Sequence, residues 1–186
     1  MRQLIANEML RSAAHQVDVQ AFASGNGTTA LKGLGASGMA TKTTLTTGNT
    51  QVKWDHVVDA FAAVVAANAI PTVIWCSSDQ YGGLLKERTN AGGAGTGEYL
   101  AGSVTTDPAK GALGLPILVS SNLPTKTVIV ADASRIFVGI RQAAEIAVSE
   151  HVSFDTDQVA FRLTQRLAGL QVAEATSIQT IVASAS

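Results

Sequence analysis

Apolar residues recur every three to four positions from Arg2 to Phe22. Ile5, Met9, Ala13 and Val17 form one line, and Leu10 and Ala14 widen it. This is the spacing of a helix with one apolar stripe. Ser24-Gly25-Asn26-Gly27 closes the pattern, with Gly25 placed to take the left-handed conformation of a helix C-cap. At the other end, Met1-Arg2-Gln3-Leu4 offers no Ser, Thr, Asp or Asn as N-cap, so the helix is expected to begin in its own middle. Gly, Thr and Ser dominate from Gly25 to Asn49. That stretch is too long for an ordinary connection and is expected to hold short extended pieces between loops. Asn49 or Thr50 then precedes a second helix, expected over Trp54 to Asn68, with Val57, Val58, Phe61, Val64 and Val65 on its apolar face.

Pro71 stops that helix, and the apolar run Thr72 to Cys76 reads as a buried strand. Ser77 with Gln80 fits a capping box, so a third helix is expected from Asp79 to Arg88, followed by a Gly-rich loop over Asn90 to Gly97. Leu113 to Ser120 and Thr127 to Ala131 read as two strands joined by a turn at Pro124. Arg135 to Ile140 and Glu145 to Glu150 both alternate apolar and polar residues, and Gln142-Ala143-Ala144 between them suggests a hairpin. Gln158 to Leu167 alternates again, Gly169 breaks the pattern, and Leu170 to Ala173 and Ile178 to Val182 read as short strands. Helices followed by a run of strands make an α+β chain, without the regular alternation of a doubly wound sheet.

Length and composition narrow the picture. The chain has 186 residues, enough to bury a core without a metal or disulfide staple. Apolar residues make up 46% and aromatics only 5%, so the core is expected to be built from small, close-packed side chains. The 13 basic and 14 acidic residues are dispersed, with no basic stripe of the kind that neutralises phosphate. Sequence-specific nucleic-acid binding is therefore not expected. No apolar stretch is long enough to cross a membrane as a helix, so no membrane partner is expected. The lone Cys76 sits in an apolar run, where it reads as a small buried hydrophobe, in a chain that reads as cytosolic.

Candidate chemistry is sparse. Gly92-Gly93-Ala94-Gly95-Thr96-Gly97 has phosphate-loop composition, but Glu98 and Tyr99 stand where Lys and Ser or Thr would be needed. It reads as a surface loop. Gly25-Asn26-Gly27-Thr28 ends a helix where a phosphate loop would begin one. His15, His56 and His151 are scattered, with no pair at i, i+4 and no Cys to complete a zinc site. Asp155-Thr156-Asp157 lacks the Gly and the final Glu of a calcium loop. Glu145, Glu150, Asp155 and Asp157 could supply a carboxylate pair only if the fold brought two of them together. Arg135, Arg141, Arg162 and Arg166 fall at outward or strand-end positions, suited to carboxylates of a neighbouring subunit. No catalytic, cofactor-binding or metal-binding residue is assigned, and no cofactor is expected.

The order of these elements resembles the carboxyl-terminal two thirds of a tailed-phage major capsid protein of the HK97-type fold. Ala21-Phe22-Ala23-Ser24-Gly25-Asn26-Gly27 followed by Leu31-Lys32-Gly33-Leu34 resembles the end of that family's spine helix and the turn after it. Trp75 to Tyr81 with Leu84-Leu85-Lys86 resembles the strand-and-helix step of its axial domain. Leu113 to Ser120, through Leu123-Pro124, resembles its strand pair there. Val130 to Arg135, then Val148-Ser149-Glu150, Phe161-Arg162 and Arg166, resemble the returning strands of its peripheral domain. The resemblance implies three segments: residues 1–36 as the peripheral domain's spine-helix end, 37–132 as the axial domain, and 133–186 as the peripheral returning strands. It also implies a structural, non-enzymatic subunit that joins copies of itself in pentamers and hexamers of an icosahedral shell. Such a shell holds the viral DNA in the virion and is assembled in the host cytoplasm, with a scaffold or portal protein as further partners.

The departures from the family carry expectations of their own. The N-terminal arm, the extended E-loop hairpin and the first part of the spine helix have no counterpart before Arg2, which agrees with an uncapped start. A truncated form, a processed fragment or a reduced shell protein is expected, and a truncated form could stay monomeric. The family's Lys–Asn cross-link is not expected: Asp157 stands at the Asn position and Thr164 at that of the assisting Glu. Two alternatives remain at this point: the shell of an encapsulin-type cellular compartment, and a small nucleotide-binding or enzymatic domain using Gly92 to Gly97.

Overall fold

The computed structural model describes residues 2–23, 25, 27, 30–88, 100, 111–153 and 158–184; the side chains of residues 2, 111–112, 150–153 and 158 fall outside that description. Helix α1 spans Arg2–Phe22, as its apolar spacing predicts. Strand β1 (Thr41–Thr44), helix α2 (Trp54–Ala66), strand β2 (Val73–Ser77) and helix α3 (Ser78–Lys86) follow. Strands β3 (Gly111–Ala112), β4 (Leu115–Ser120) and β5 (Thr127–Ala131) come next. Two long strands, β6 (Ile136–Ser153) and β7 (Gln158–Val172), precede β8 (Ile178–Val182).

Six strands form one mixed sheet in the order β1-β8-β5-β2-β4-β3, and β6 with β7 forms a separate antiparallel ribbon. The central strands β2, β5 and β8 are buried on both faces, which is why they read as unbroken apolar runs. Their side chains alternate between two cores. Ile74, Cys76, Val128, Val130 and Ile181 meet Val57 and Val64 of α2 and Leu84 of α3 on one face. Val73, Ile129, Ala131 and Ile178 meet Leu34, Met39, Leu170 and Val172 on the other. There Phe22, at the end of α1, packs edge-to-face on Trp75 at 5.8 Å. The second core therefore joins the helix, the ribbon and the sheet.

Several local expectations change. The left-handed glycine after α1 is Gly27 (φ 77°), not Gly25. The end of α1 is instead capped from afar, by the Leu34 N–H donating to Ala21 O at 2.7 Å. Helix α2 is capped at Lys53, whose N–H donates to His56 Nδ1 at 3.0 Å. It ends two residues before Asn68 in a Schellman motif. Asn68 sits at φ 54°, its N–H reaches Val65 O, and the Ala69 N–H reaches Val64 O. The Ser77–Gln80 capping box does not form. Ser77 Oγ accepts the Thr127 N–H at 3.2 Å, and Gln80 Oε1 accepts the Val52 N–H at 2.6 Å. Both side chains serve distant backbone in place of their own helix end.

The strands on either side of Pro124 are not paired with each other. β2 lies between them, parallel to β4 and antiparallel to β5. Gln142 to Ala144 make no hairpin but lie within the continuous strand β6. Ile140 pairs with Leu167, Gln142 with Arg166 and Glu145 with Thr164, so β6 carries one extra residue in each step. These bulges flip the phase of the alternation, which imitates two strands and a turn. In the same way β7 runs through Gly169 (φ 127°) and carries Ala168 as its own extra residue between Gly139↔Gly169 and Ile140↔Leu167. The closing strand β8 leaves the ribbon and enters the six-stranded sheet between β1 and β5, so the strands expected together over 133–186 divide between ribbon and sheet.

Candidate assembly surfaces

Among the described residues Thr43, His56 and Asp59 line one cleft, but His56 Nδ1 there is taken by the Lys53 N–H. Three clefts each hold few ionisable groups. One, of about 550 Å³, lies between the end of α1 and the ribbon and includes Lys32. A second, of about 500 Å³, lies under the sheet beside Phe22 and includes Lys42. A third, of about 250 Å³, includes His56 and Asp59 beside β8. Among the described residues no group of three or more His, Cys, Asp or Glu side chains could hold a metal ion, and no helix is long and apolar enough to cross a membrane.

Cys76 is fully buried in the first core. Desolvation by burial, with the nearby Asp79 carboxylate adding to it, pushes its thiol up to about 12. It packs as a small hydrophobe and is no nucleophile at neutral pH. His15 is exposed on α1, and His56 Nδ1 is occupied by the Lys53 N–H. The side chains of His151 and Glu150 lie outside the described set, as do Asp155, Asp157 and the Gly92 to Gly97 loop.

Arg135 is an intramolecular clamp, contrary to the expectation of a neighbouring carboxylate. It pairs with Glu174, donates from Nη2 to Asn68 O at 2.6 Å, and lies 3.5 Å through Nε from Asp132 Oδ2. Asp132 also accepts from Ser134 N–H, Ser134 Oγ and Ile70 N–H at 3.1, 2.6 and 3.2 Å. Burial opposes ionisation of Asp132, but these donors and the Arg135 charge outweigh it and hold the carboxyl below its ordinary range. Arg135 stands where β6 begins and Glu174 follows β7, so the cluster fastens both strands at one end of the ribbon to the cap of α2. Arg141, Arg162 and Arg166 are exposed on the ribbon and form no ion pair among the described residues.

The remaining feature of note is bare apolar surface. The ribbon is about 50 Å long, from 15 residues in β7 at ~3.3 Å each. Phe137, Val138, Ile140, Val148 and Val159 are exposed on it. Phe137 and Val138 are adjacent in the strand, so they point to opposite faces, and both faces are bare. Helix α1 runs against β7 with Ala6, Met9, Ala13 and Val17 only half-buried, while Leu4, Ile5 and Leu10 are exposed. The apolar line seen in the sequence is real, but this one chain covers only part of it.

Comparison with known proteins gives a consistent answer. The profile of a family described as "Phage capsid family" matches residues 1–182. Among solved structures, the capsid of an empty GTA particle, computed with C5 symmetry, shares 19% identity at a TM-score of 0.74, covering 100% of this chain and 67% of that one. A structure from Gordonia phage Cozz shares 18% identity at a TM-score of 0.74, covering 99% and 64%. A virus-like particle from Pyrococcus furiosus shares 18% at a TM-score of 0.53, covering 80% and 58%. At these identities the likeness is one of fold, and this chain spans about two thirds of the length of the first two. No curated protein matches.

Proposed function

Because this chain belongs to the phage capsid family, we propose that it is a structural subunit of a tailed-phage head, working by contact with copies of itself and not by catalysis. The observation that carries this reading is the bare ribbon. An isolated two-stranded ribbon is marginal in water, and exposed apolar surface on both of its faces marks a region that other chains cover. Covering it supplies the driving force for assembly, at about 25 cal/mol per Å² of apolar surface removed from water.

In this reading the six-stranded sheet with α2 and α3 corresponds to the axial part of the subunit, grouped around the centre of a pentamer or hexamer. Helix α1 and the ribbon correspond to the peripheral part that laps toward neighbours. The assembled shell encloses the viral DNA in the virion and forms in the host cytoplasm, with a scaffold or portal protein as further partners. The encapsulin-type shell has less support, since both the family match and the structures with the higher TM-scores point to phage-type capsids.

The test is electron microscopy and sedimentation of the expressed chain across a range of concentrations and salt. Rings, sheets or closed particles are the expected products. A strictly monomeric species under all conditions, including co-expression with a phage scaffold protein, would refute the proposal.

A further inference from the structure

The cleft beside Phe22 contains a polar group with nothing to bond to. Its floor is the face of the six-stranded sheet that carries the second core. Lys42 of β1 pairs with Thr180 of β8, and Thr180 pairs with Ile129 of β5. The three stand in one cross-strand row, about 4.8 Å from strand to strand, and all line the cleft. Phe22, Leu34 and Pro124 belong to its walls.

Thr180 is 7% exposed. Its Oγ1 has no hydrogen-bond partner, alone among the buried side-chain nitrogen and oxygen atoms of the described residues. A buried hydroxyl left in that state is costly and rare. A water there would need two to four polar partners, but the side chains beside Thr180 on the same face are Ile129, Ile178 and Val182. The hydroxyl therefore calls for a partner that is itself largely apolar.

Lys42 supplies the second half of the site. It is exposed, makes no ion pair among the described residues, and is the only ionisable residue among those that line the cleft. Beyond the lining, Lys126 and Asp79 flank the Pro124 side. The Asp79 carboxylate accepts the Lys126 N–H at 2.9 Å and the Lys126 ammonium donates to Ser184 O at 3.1 Å, so these two opposite charges offset each other and leave Lys42 to set the sign. An ammonium and a hydroxyl on adjacent strands can both donate to one anionic acceptor. The cleft around them, about 500 Å³, has the size and the mainly apolar lining usual for a small-ligand site.

We propose that this cleft binds a small monocarboxylate with an apolar body, of the medium-chain fatty acid type. The carboxylate takes the Lys42 ammonium and the Thr180 hydroxyl, which a turn of χ1 between staggered wells presents to it. The hydrocarbon body lies on Ile129 and Val182 beneath Phe22 and Leu34. Such a ligand touches the sheet and the end of α1 at once, so it braces the second core and raises the thermal midpoint by mass action.

The test is calorimetric titration of the full chain with octanoate, beside octanol, which lacks the carboxylate, and acetate, which lacks the apolar body. Octanoate is expected to bind with a Kd on the order of a millimolar or tighter, and each partial analogue at least about tenfold more weakly. Lys42→Gln should weaken octanoate about three- to fivefold, as for an exposed ion pair, and Thr180→Val about five- to tenfold. Without ligand, Thr180→Val should melt at a higher temperature than the unmodified chain, because a methyl replaces an unpartnered hydroxyl. Methyl spectra of the unmodified chain keep the site testable if a variant fails to fold: octanoate should shift the signals of Ile129 and Val182 and leave those of Val57 and Val64 across the sheet. Equal affinity for octanol would overturn the carboxylate assignment. Undiminished binding by both variants, or shifts confined to Val57 and Val64, would overturn the site. A lower midpoint for Thr180→Val would show its hydroxyl already satisfied by water and remove it from the site. Neither heat nor shifts at about 10 mM octanoate would refute the proposal outright.

Discussion

At Gly33 a single methyl group should do heavy damage. A Cβ built there would lie 2.7 Å from Ala21 O, and closer still to the carbonyl oxygens of Gln20 and Ala23. All three belong to the backbone at the end of α1, so no side chain can swing aside. Ordinary Cβ contact begins near 3.4 Å, so even the mildest of the three clashes falls short by 3.4 − 2.7 = 0.7 Å. Relief requires moving α1 off the 33–36 segment, which would stretch the 2.7 Å bond from Leu34 N–H to Ala21 O and disturb Phe22 against Trp75. Overpacking a tight site costs about 1–3 kcal/mol, and backbone clashes place Gly33→Ala at the upper end, about 3 kcal/mol. At about 2–4 °C per kcal/mol for a chain of this size, the midpoint should fall by about 6–12 °C in a thermal melt. Gly82 in α3 is the control, since a Cβ there meets nothing within 4 Å. Gly82→Ala should therefore raise stability by about 0.5–1 kcal/mol through helix propensity alone. A Gly33→Ala chain melting at or above the unmodified midpoint would refute the packing account of the α1 end.

Gln80→Leu should destabilise by about 1–3 kcal/mol in urea titration, because it leaves the buried Val52 N–H without its acceptor; an unchanged midpoint would mean that water replaces the amide. Asp132 titrates below its ordinary range when folded, so it contributes stability above the unfolded value of about 3.9 that is lost as pH falls through the lower, folded value. Urea midpoints measured downward from pH 6 should therefore drop more steeply below about pH 4 for the unmodified chain than for Asp132→Asn, and parallel curves would remove Asp132 from the acid limb. Cys76 should resist thiol reagents at pH 8 until the chain is unfolded in denaturant, as its buried, raised pKa requires; rapid labelling of the native chain would contradict its burial.

What could be read from the sequence was periodic and local. The 3.6-residue spacing of Ile5 to Val17 located α1, and the apolar runs at Thr72 to Cys76, Thr127 to Ala131 and Ile178 to Val182 located the central strands to within a residue. Failures came where a residue answered to something distant. Ser77 and Gln80 have the composition of a local cap but bond to Thr127 and Val52. Arg135 alternates like an outward residue, yet it binds Glu174 and the cap of α2. The bulges in β6 and β7 broke a period-two pattern without ending the strand, and nothing local separates a phase slip from a turn. The bare side of α2 was not legible: the spacing puts Val58 and Val65 on one apolar face with Val57, Phe61 and Val64, but the sheet covers only Val57 and Val64 among the valines, and Val58 and Val65 are exposed.

The fastening at Arg135 also has a mechanical side. A ribbon some 50 Å long, held at its root by the Arg135 cluster and by Leu170 and Val172 in the second core, is a lever whose fulcrum is a few side chains wide. A tilt of about 5° at that fulcrum carries the far end through roughly 4 Å along such an arm, close to the width of one strand spacing. Small changes of bonding around Asp132, Arg135 and Glu174 thus become large displacements at the tip. In the proposed shell, the angle between neighbouring tiles would then be governed from a point remote from the seam itself.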